Sequence, residues 1–406
     1  MPATATISAT GLASALAAGT TTITATLSGV TGSTTFTVTP ATLASIAVAP
    51  ANPSVPAGGT QQFTATGTYS DSSTRDLTTQ VTWTSSAPAT ASISATGLAS
   101  ALAAGTTTIT ATLSGVIGSA TLTVTAPVLQ SVTLAATAVV EGDGTTGEVA
   151  LTGPAGPSGT TVQLSSSSGA ATVPASVTVP AGATRATFPV GSARITTETV
   201  ASISASGGGV ARSATLTIRA VSLSLAPAIV GGGNLATGTL SLSGPVTVPI
   251  TSALSSNNVA VATVPAAVTI DAGATAVTFP VSTSTVTSSR SVTITSTHAG
   301  IAATASLSVR VIGPSGVSLN PSTVVGGSAS TGTVTLTYPA PAAGFPVTLA
   351  SSRPAVATVP ASVTVPGGAT SATFPIATVP VTSSTSSSIS ASGGGITKSA
   401  KLSVLR

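Results

Sequence analysis

The sequence contains no cysteine, one histidine, and few charged or aromatic residues. Among 406 residues there are 11 Lys and Arg, 7 Asp and Glu, 6 Phe, 2 Tyr and 1 Trp. Without cysteine the fold has no disulfide, and no thiolate can bind a metal or attack a substrate. The single histidine, His298, excludes a His-based metal cluster and leaves at most one imidazole base. We therefore expect no cofactor.

The positive charges are too dispersed for nucleic-acid binding. The formal net charge is +4 and no two Lys or Arg are adjacent, whereas a nucleic-acid surface concentrates them on one face and adds aromatic residues for stacking. The mean hydropathy of +0.59 comes from Ala and Val, and Thr, Ser or Gly interrupts every apolar stretch before it reaches a spanning length. We expect no nucleic-acid partner and no transmembrane segment, and no signal peptide is visible.

Internal repeats divide the chain into units of about 90 residues. Residues 2–39 and 88–125 are related by an offset of 86 and differ at four of 38 positions. A second kind of repeat contains residues 171–184, with copies 91 residues later and a further 95 residues later. Solenoid repeats are shorter, roughly 20 to 50 residues, so units of this size are domains.

The local pattern is typical of β-strands throughout. Runs such as Val-Thr-Val and Thr-Leu-Thr-Val alternate apolar and hydroxyl residues with period two, and clusters of Gly and Pro separate them. About seven short strands per unit indicate two-sheet sandwiches, and no helix is predicted. The predicted units are 1–40, which supplies only half a sandwich, 42–126, 129–219, 221–311 and 317–406. Short junctions between them predict a semi-rigid rod on the order of 120 to 150 Å long.

Residues 43–125 carry the motifs of a known domain type. In order they are Ile46–Pro50, Val55–Thr60, Gln62–Phe63, Val81–Ser85 with Trp83, and Ala104–Ile109. This segment resembles a group 2 bacterial immunoglobulin-like (Ig-like) domain, and residues 1–40 resemble its C-terminal half. Residues 129–406 are similar to further bacterial Ig-like or Calx-beta-like repeats. The resemblance implies an all-β chain of tandem Ig-like Greek-key sandwiches, arranged as beads on a string.

Five aromatic residues are predicted to lie in the sandwich cores. The tryptophan of an Ig sandwich packs against the opposite sheet, and each repeat places one Phe on an inward strand face. The predicted core residues are Trp83, Phe63, Phe188, Phe279 and Phe374.

Two clusters of acidic residues are candidate calcium sites, and in each a structural role is the favoured interpretation. Asp71 and Asp76 flank Arg75 in a turn, where a salt-bridged hairpin is preferred because Ca²⁺ needs six or more oxygen ligands. Glu141 and Asp143 lie in a glycine-rich loop similar to the start of Calx-beta domains. The sister loops lack these acids, so we attribute the glycines to loop geometry. We expect no metal site otherwise.

No catalytic residues are predicted. A serine nucleophile needs a base and an orienting acid, but Gly207 and Gly393 occupy the place of His298 in the sister repeats, which predicts an exposed, unused side chain. The acids are too scattered for a paired-carboxylate site. With so few titratable groups, we also predict that the melting temperature changes little between about pH 4 and pH 9.

The half-sandwich at 1–40 leaves its apolar residues without an opposing sheet. The favoured interpretation is that the chain is part of a longer repeat protein, and the alternative is that another chain adds the missing strands.

The sequence therefore predicts a non-enzymatic region of a bacterial surface or secreted protein. Its expected role is that of a spacer or stalk, with cell adhesion of the invasin and intimin kind as a further role. The alternatives are a carbohydrate-binding accessory region of a secreted polysaccharide-degrading enzyme and a phage virion decoration protein. The expected location is extracellular or at the bacterial cell surface. The partner would be a host cell, a polysaccharide or a neighbouring surface protein.

Overall fold

The computed structural model describes residues 3–406. Every regular secondary-structure element in that range is a β-strand. None of the described residues forms a helix that is long and apolar enough to cross a membrane. The prediction of an all-β chain is confirmed: from residue 42 onward the strands form tandem Ig-like sandwiches, each with its own hydrophobic core.

The first part of the chain, here called the half-module, consists of two antiparallel hairpins. Its strands are β1 (Ala5–Ile7), β2 (Ala13–Ala15), β3 (Gly19–Leu27) and β4 (Val30–Val38). Leu27 is paired with Val30 at the turn of the second hairpin, and both side chains are exposed.

The second module spans residues 42–126 and contains ten strands in three sheets. They are β5 (Leu43–Ala49), β6 (Ser54–Pro56), β7 (Thr60–Gln62), β8 (Thr64–Tyr69), β9 (Thr74–Asp76), β10 (Thr82–Ser85), β11 (Ala91–Ile93), β12 (Leu98–Ala101), β13 (Gly105–Leu113) and β14 (Val116–Thr125). The sheet orders are β5-β8-β9, β10-β13-β14-β6 and β11-β12-β7. The hairpins β11–β12 and β13–β14 have the same register as those of the half-module, 86 residues later.

The third module, residues 129–219, has nine strands. They are β15 (Leu129–Leu134), β16 (Ala138–Val140), β17 (Thr145–Leu151), β18 (Thr160–Ser166), β19 (Ala171–Thr172), β20 (Ser176–Val179), β21 (Arg185–Ser192), β22 (Thr199–Gly207) and β23 (Val210–Arg219). One sheet has the order β15-β17-β21-β19 and the other β16-β23-β22-β18-β20. The short strand β16 runs parallel to the last strand, β23.

The fourth and fifth modules repeat this topology strand for strand. The fourth contains β24 (Val221–Ala226), β25 (Ile229–Gly231), β26 (Leu235–Leu242), β27 (Ile250–Ser256), β28 (Ala262–Thr263), β29 (Ala267–Ile270), β30 (Ala276–Thr283), β31 (Arg290–His298) and β32 (Ile301–Arg310). The fifth contains β33 (Pro314–Asn320), β34 (Thr323–Val325), β35 (Ser330–Leu336), β36 (Phe345–Ser351), β37 (Ala357–Thr358), β38 (Ser362–Val365), β39 (Ser371–Thr378), β40 (Thr385–Gly393) and β41 (Ile396–Leu405). β33 begins at Pro314, three residues before the boundary expected at 317, because Pro314 pairs with Leu336 ahead of a register shift.

Alternating burial along the strands builds the cores. In β13, Thr107, Ile109 and Ala111 point inward while the intervening threonines face outward, as the period of two requires. All five aromatic residues assigned to the cores are buried in the structure, namely Phe63, Trp83, Phe188, Phe279 and Phe374. The Trp83 indole nitrogen donates a hydrogen bond to the Thr78 carbonyl at 2.8 Å, which satisfies its polar group inside the core.

Candidate functional site at the joint of the third and fourth modules

Three of the seven acidic residues meet where the third module joins the fourth. Glu141 and Asp143 follow β16, and Glu198 precedes β22. All three lie at the same end of the third module, where Ala220 connects it to β24 of the fourth. We call this region the third–fourth joint. Its apolar part is Val140, which belongs to the third module in sequence but is buried in the core of the fourth.

Glu141 connects the two modules through backbone hydrogen bonds. Only 2% of the residue is exposed, and its carboxylate accepts the N–H of Ile195 at 2.6 Å and that of Val221 at 3.1 Å. Ile195 lies in the third module, whereas Val221 is the first residue of β24 in the fourth. Hydrogen bonds to an ionised carboxylate are stronger than neutral ones, so Glu141 fixes the start of the fourth module against the third.

Asp143 and His298 form an ion pair across the joint. Nε2 of His298 lies 3.0 Å from both carboxylate oxygens of Asp143, and Nδ1 lies 3.1 Å from the carbonyl oxygen of Thr251. The His298 side chain is 14% exposed. The expectation that His298 is exposed and unused is therefore wrong. His298 lies at the turn between β31 and β32, and its side chain contacts the preceding module. The glycines at this position in the sister repeats have no side chain that could make such a contact.

The environment of His298 favours its charged form. Burial of the imidazole lowers its pKa, but the hydrogen bonds to Asp143 and to the Thr251 carbonyl, together with the charge of Asp143, outweigh that effect. The net result is a pKa raised above the ordinary value of 6.5. Since both ring nitrogens face acceptors, only the doubly protonated imidazolium can donate to both of them.

Glu198 anchors a second set of contacts at the same joint. It forms an ion pair with Arg219, the last residue of β23. It also accepts a hydrogen bond from the Ser243 hydroxyl of the fourth module at 3.2 Å, and that hydroxyl in turn accepts the N–H of Ala220 at 3.0 Å. The Arg219 guanidinium lies directly over Gly244, where a Cβ would overlap it.

An apolar cleft of about 400 Å³ opens beside the ion pair. Segments of both modules line it. Asp143 and His298 are among the lining residues, and the others are Ala136, Ala138, Val139, Val140, Gly144, Val246, Thr247, Val248, Pro249 and Ile250. Asp143 and His298 are the only titratable residues that line it.

The next joint is built from uncharged groups at the equivalent positions. Gly232 and Asn234 occupy the places of Glu141 and Asp143, as the matching pairing of β16 with β23 and of β25 with β32 shows. The Asn234 side-chain amide donates to the Pro339 carbonyl at 2.9 Å. Gly231 packs against Ile312, which is buried in the fifth module.

At the joint of the second and third modules, Gly153 packs directly against the backbone of Ala57.

The other acidic cluster, Asp71 and Asp76, forms local turn contacts. The Ser73 side chain and backbone donate to Asp71 at 2.6 and 2.9 Å, and the Thr78 N–H donates to Asp76 at 2.8 Å. These hydrogen bonds lower the pKa of both carboxyl groups. Within residues 3–406 no salt bridge involves Arg75, whose guanidinium lies 4.7 Å above the Tyr69 ring. The expected salt-bridged hairpin is thus held by hydrogen bonds and a cation–π contact.

The arrangement at the third–fourth joint is suited to holding two modules together. In the described range no three His, Asp or Glu side chains come close enough to hold a metal ion, and Glu141 and Asp143 direct their oxygens at protein donors. The sequence offered one signal for this role: these acids and His298 occur where the sister repeats carry Gly, Asn or Ser, so their positions differ from the repeat pattern on both sides of one joint.

Residues 42–124 match the family model of the bacterial Ig-like domain, group 2. This segment is a group 2 bacterial Ig-like domain. A stretch of 135 residues of the chain is 43% identical to Ice-binding protein 1 of Shewanella frigidimarina, covering 32% of this chain and 15% of that protein. The chain thus corresponds to a small part of that relative's length.

Two solved structures illustrate the likeness to other tandem Ig-like proteins. Invasin, a bacterial integrin-binding protein, is 16% identical, with 89% of this chain and 78% of that chain covered and a TM-score of 0.35. The I9–I11 tandem of titin is 12% identical, with 68% of this chain and 99% of that chain covered and a TM-score of 0.31.

Proposed function

We propose that the chain is a non-enzymatic spacer region of an extracellular bacterial protein, which holds another part of that protein, or its partner, away from a surface. The observation that carries this proposal is the way consecutive modules are joined. From the second module to the fifth, the junctions contain three residues, one residue and three residues. Short junctions with side-chain contacts across them restrict bending.

The surface chemistry suits such a role. The chain carries few charges, and exposed strand positions are filled mainly by Thr and Ser, which keep strand propensity while hydrogen-bonding to water. The stability of such a chain should depend little on salt, because few ion pairs contribute to it. Loops at the module ends are the proposed contact points with a host cell, a polysaccharide or a neighbouring surface protein.

Small-angle X-ray scattering of the chain tests the proposal. A compact protein of this length has a radius of gyration of about 22 Å, whereas the spacer requires a much larger value that is independent of concentration. The matched control inserts four Gly and Ser residues after Ala220, which should broaden the distance distribution by loosening one joint. A compact particle, or one that the insertion does not change, would contradict a stiff spacer.

A second candidate is direct binding of ice, and the similarity to an ice-binding protein favours it. In the half-module, exposed hydroxyl residues pair across the strands as Thr20 with Thr37 and Thr22 with Thr35, which forms a regular uncharged array. Ice-affinity partitioning of the chain separates the two functions. Exclusion from the ice supports the spacer, and retention that is lost on replacing Thr22 and Thr35 by Glu supports the second candidate.

A further inference from the structure

We infer that the third–fourth joint is a proton-controlled latch: it holds the two modules in one orientation when His298 is protonated and loosens when His298 becomes neutral. The latch would regulate the stiffness of the spacer proposed above, so its biological consequence rests on that proposed function. The contacts between Asp143, His298 and Thr251 do not depend on that function.

The latch is a single charged contact, to which each of the two modules contributes one residue. Asp143 belongs to the third module and His298 to the fourth, 155 residues later, and both residues line the apolar cleft. Among residues 3–406, Asp143 is the only charged group in direct contact with His298. On the side of the fourth module the imidazole meets the Thr251 carbonyl of β27, and the cleft wall from Val246 to Ile250 carries no titratable residue.

The other charged groups of the joint are directed elsewhere. Glu141 accepts from backbone N–H groups, and Glu198 is paired with Arg219. Neither set of contacts includes His298. The His298 contact is the part that changes between about pH 6 and pH 9, because an imidazole is the only side chain here that titrates in that region.

The direction of the change follows from the hydrogen bonds. The imidazolium donates to Asp143 and to Thr251 together, whereas a neutral ring carries one N–H and leaves one acceptor facing a lone pair. Because the folded environment raises the pKa of His298 above 6.5, the contact is fully formed below about pH 6.5 and is lost as the pH rises through the raised value. The joint is therefore stiff in mild acid and looser in alkaline solution.

The chain contains its own control joint. The fourth and fifth modules meet through Asn234 and the Pro339 carbonyl, and neither group titrates. Thr187, Thr278 and Thr373 occupy equivalent exposed positions on β21, β30 and β39. Since the chain has no cysteine, pairs of Thr→Cys substitutions can carry spin labels without background: the 187/278 pair reports on the latch and the 278/373 pair on the control joint.

Double electron–electron resonance on the full chain tests the latch. The 187/278 distance distribution is expected to be narrow at about pH 5.5 and broad at about pH 9, while the 278/373 distribution stays unchanged. A 187/278 distribution that does not respond to pH, or a response of equal size at both joints, would overturn the inference. Neither result would bear on the spacer, which is judged by the radius of gyration.

Two variants separate the latch from general loosening. Asp143→Asn introduces the residue of the sister repeat and removes the charge, so the 187/278 distribution should be broad at both pH values. His298→Gln, neutral at every pH, should behave in the same way. As the chain has one histidine, its ring proton resonances report its titration directly, and the midpoint should fall toward 6.5 in Asp143→Asn. A pH response that survives in both variants would assign the effect to another group.

Discussion

The outer end of the Phe374 ring, with its Cζ, Cε1 and Cε2 atoms, packs against Gly332, its directly paired neighbour on the adjacent strand. The same pair recurs as Phe188 over Gly147 and Phe279 over Gly238. In each repeat the absence of a Cβ on one strand makes the space that the aromatic ring of the other strand fills. The glycine is therefore a packing requirement of the core, since none of the three has a positive φ that would call for glycine on backbone grounds.

Replacing Gly332 by Ala should destabilise the fifth module by about 1–3 kcal/mol, because the new methyl group overlaps the Phe374 ring and forces it from its position. Differential scanning calorimetry should show one transition moved to lower temperature. The control is Gly316→Ala in the same module, where a Cβ meets no atom within 4 Å. Equal effects of the two substitutions would argue against the packing explanation.

Glu141→Gln should destabilise the third–fourth joint by about 1–3 kcal/mol, since the buried carboxylate accepts two backbone N–H groups and an amide can accept only on its oxygen. Hydrogen exchange at the Ile195 and Val221 amides should accelerate. Glu148→Gln is the matched control, because its ion pair with Arg185 is solvent-exposed and should contribute about 0–1 kcal/mol. Unchanged exchange at both amides would show that Glu141 does not hold the joint.

Trp83→Phe should destabilise the second module by about 1–3 kcal/mol by removing the donor to the partly buried Thr78 carbonyl while keeping an aromatic ring in the core. Calorimetry of the chain should show that one transition moves and the others remain. Substitution of Trp83 by Leu adds the loss of aromatic volume and should cost more. If Trp83→Phe has no effect, the indole hydrogen bond contributes nothing to stability.

The carboxyl groups of Asp71 and Asp76 should titrate below 3.8, because hydrogen bonds from Ser73 and Thr78 stabilise their ionised forms. Their contribution to the turn is present above the ordinary value and is lost as the pH falls through the lowered one. Carbon-detected NMR titration of the two side chains provides the measurement. Ser73→Ala should bring the Asp71 midpoint back up and leave that of Asp76 unchanged.

Much of the fold could be predicted from local pattern. The period of two along the strands identified the sheets, the repeat offsets gave the units, and inward positions identified Trp83 and the core Phe residues, because burial in a sandwich is decided within a few strands. The Phe–Gly pairs were not predicted, since register between β35 and β39 depends on pairing over some forty residues.

The joint contacts could not be predicted from the sequence. The partnership of Asp143 with His298 depends on how two separate sandwiches are oriented, and no local pattern encodes that orientation. The glycines at this position in the sister repeats predicted a His298 side chain without contacts, because a comparison of repeats treats each module separately from its neighbours. The charge of the neighbouring module is what gives His298 its partner.

The parallel pairing of β16 with β23, repeated in β25 with β32 and β34 with β41, determines how each module responds to tension. The chain of a module begins shortly before the first strand of such a pair and ends with the second. A pull along the chain therefore slides the two strands past each other, which loads their hydrogen bonds in shear and requires them to break together. Modules joined in this way should extend in abrupt, separate steps under force, each absorbing mechanical energy before the next one yields.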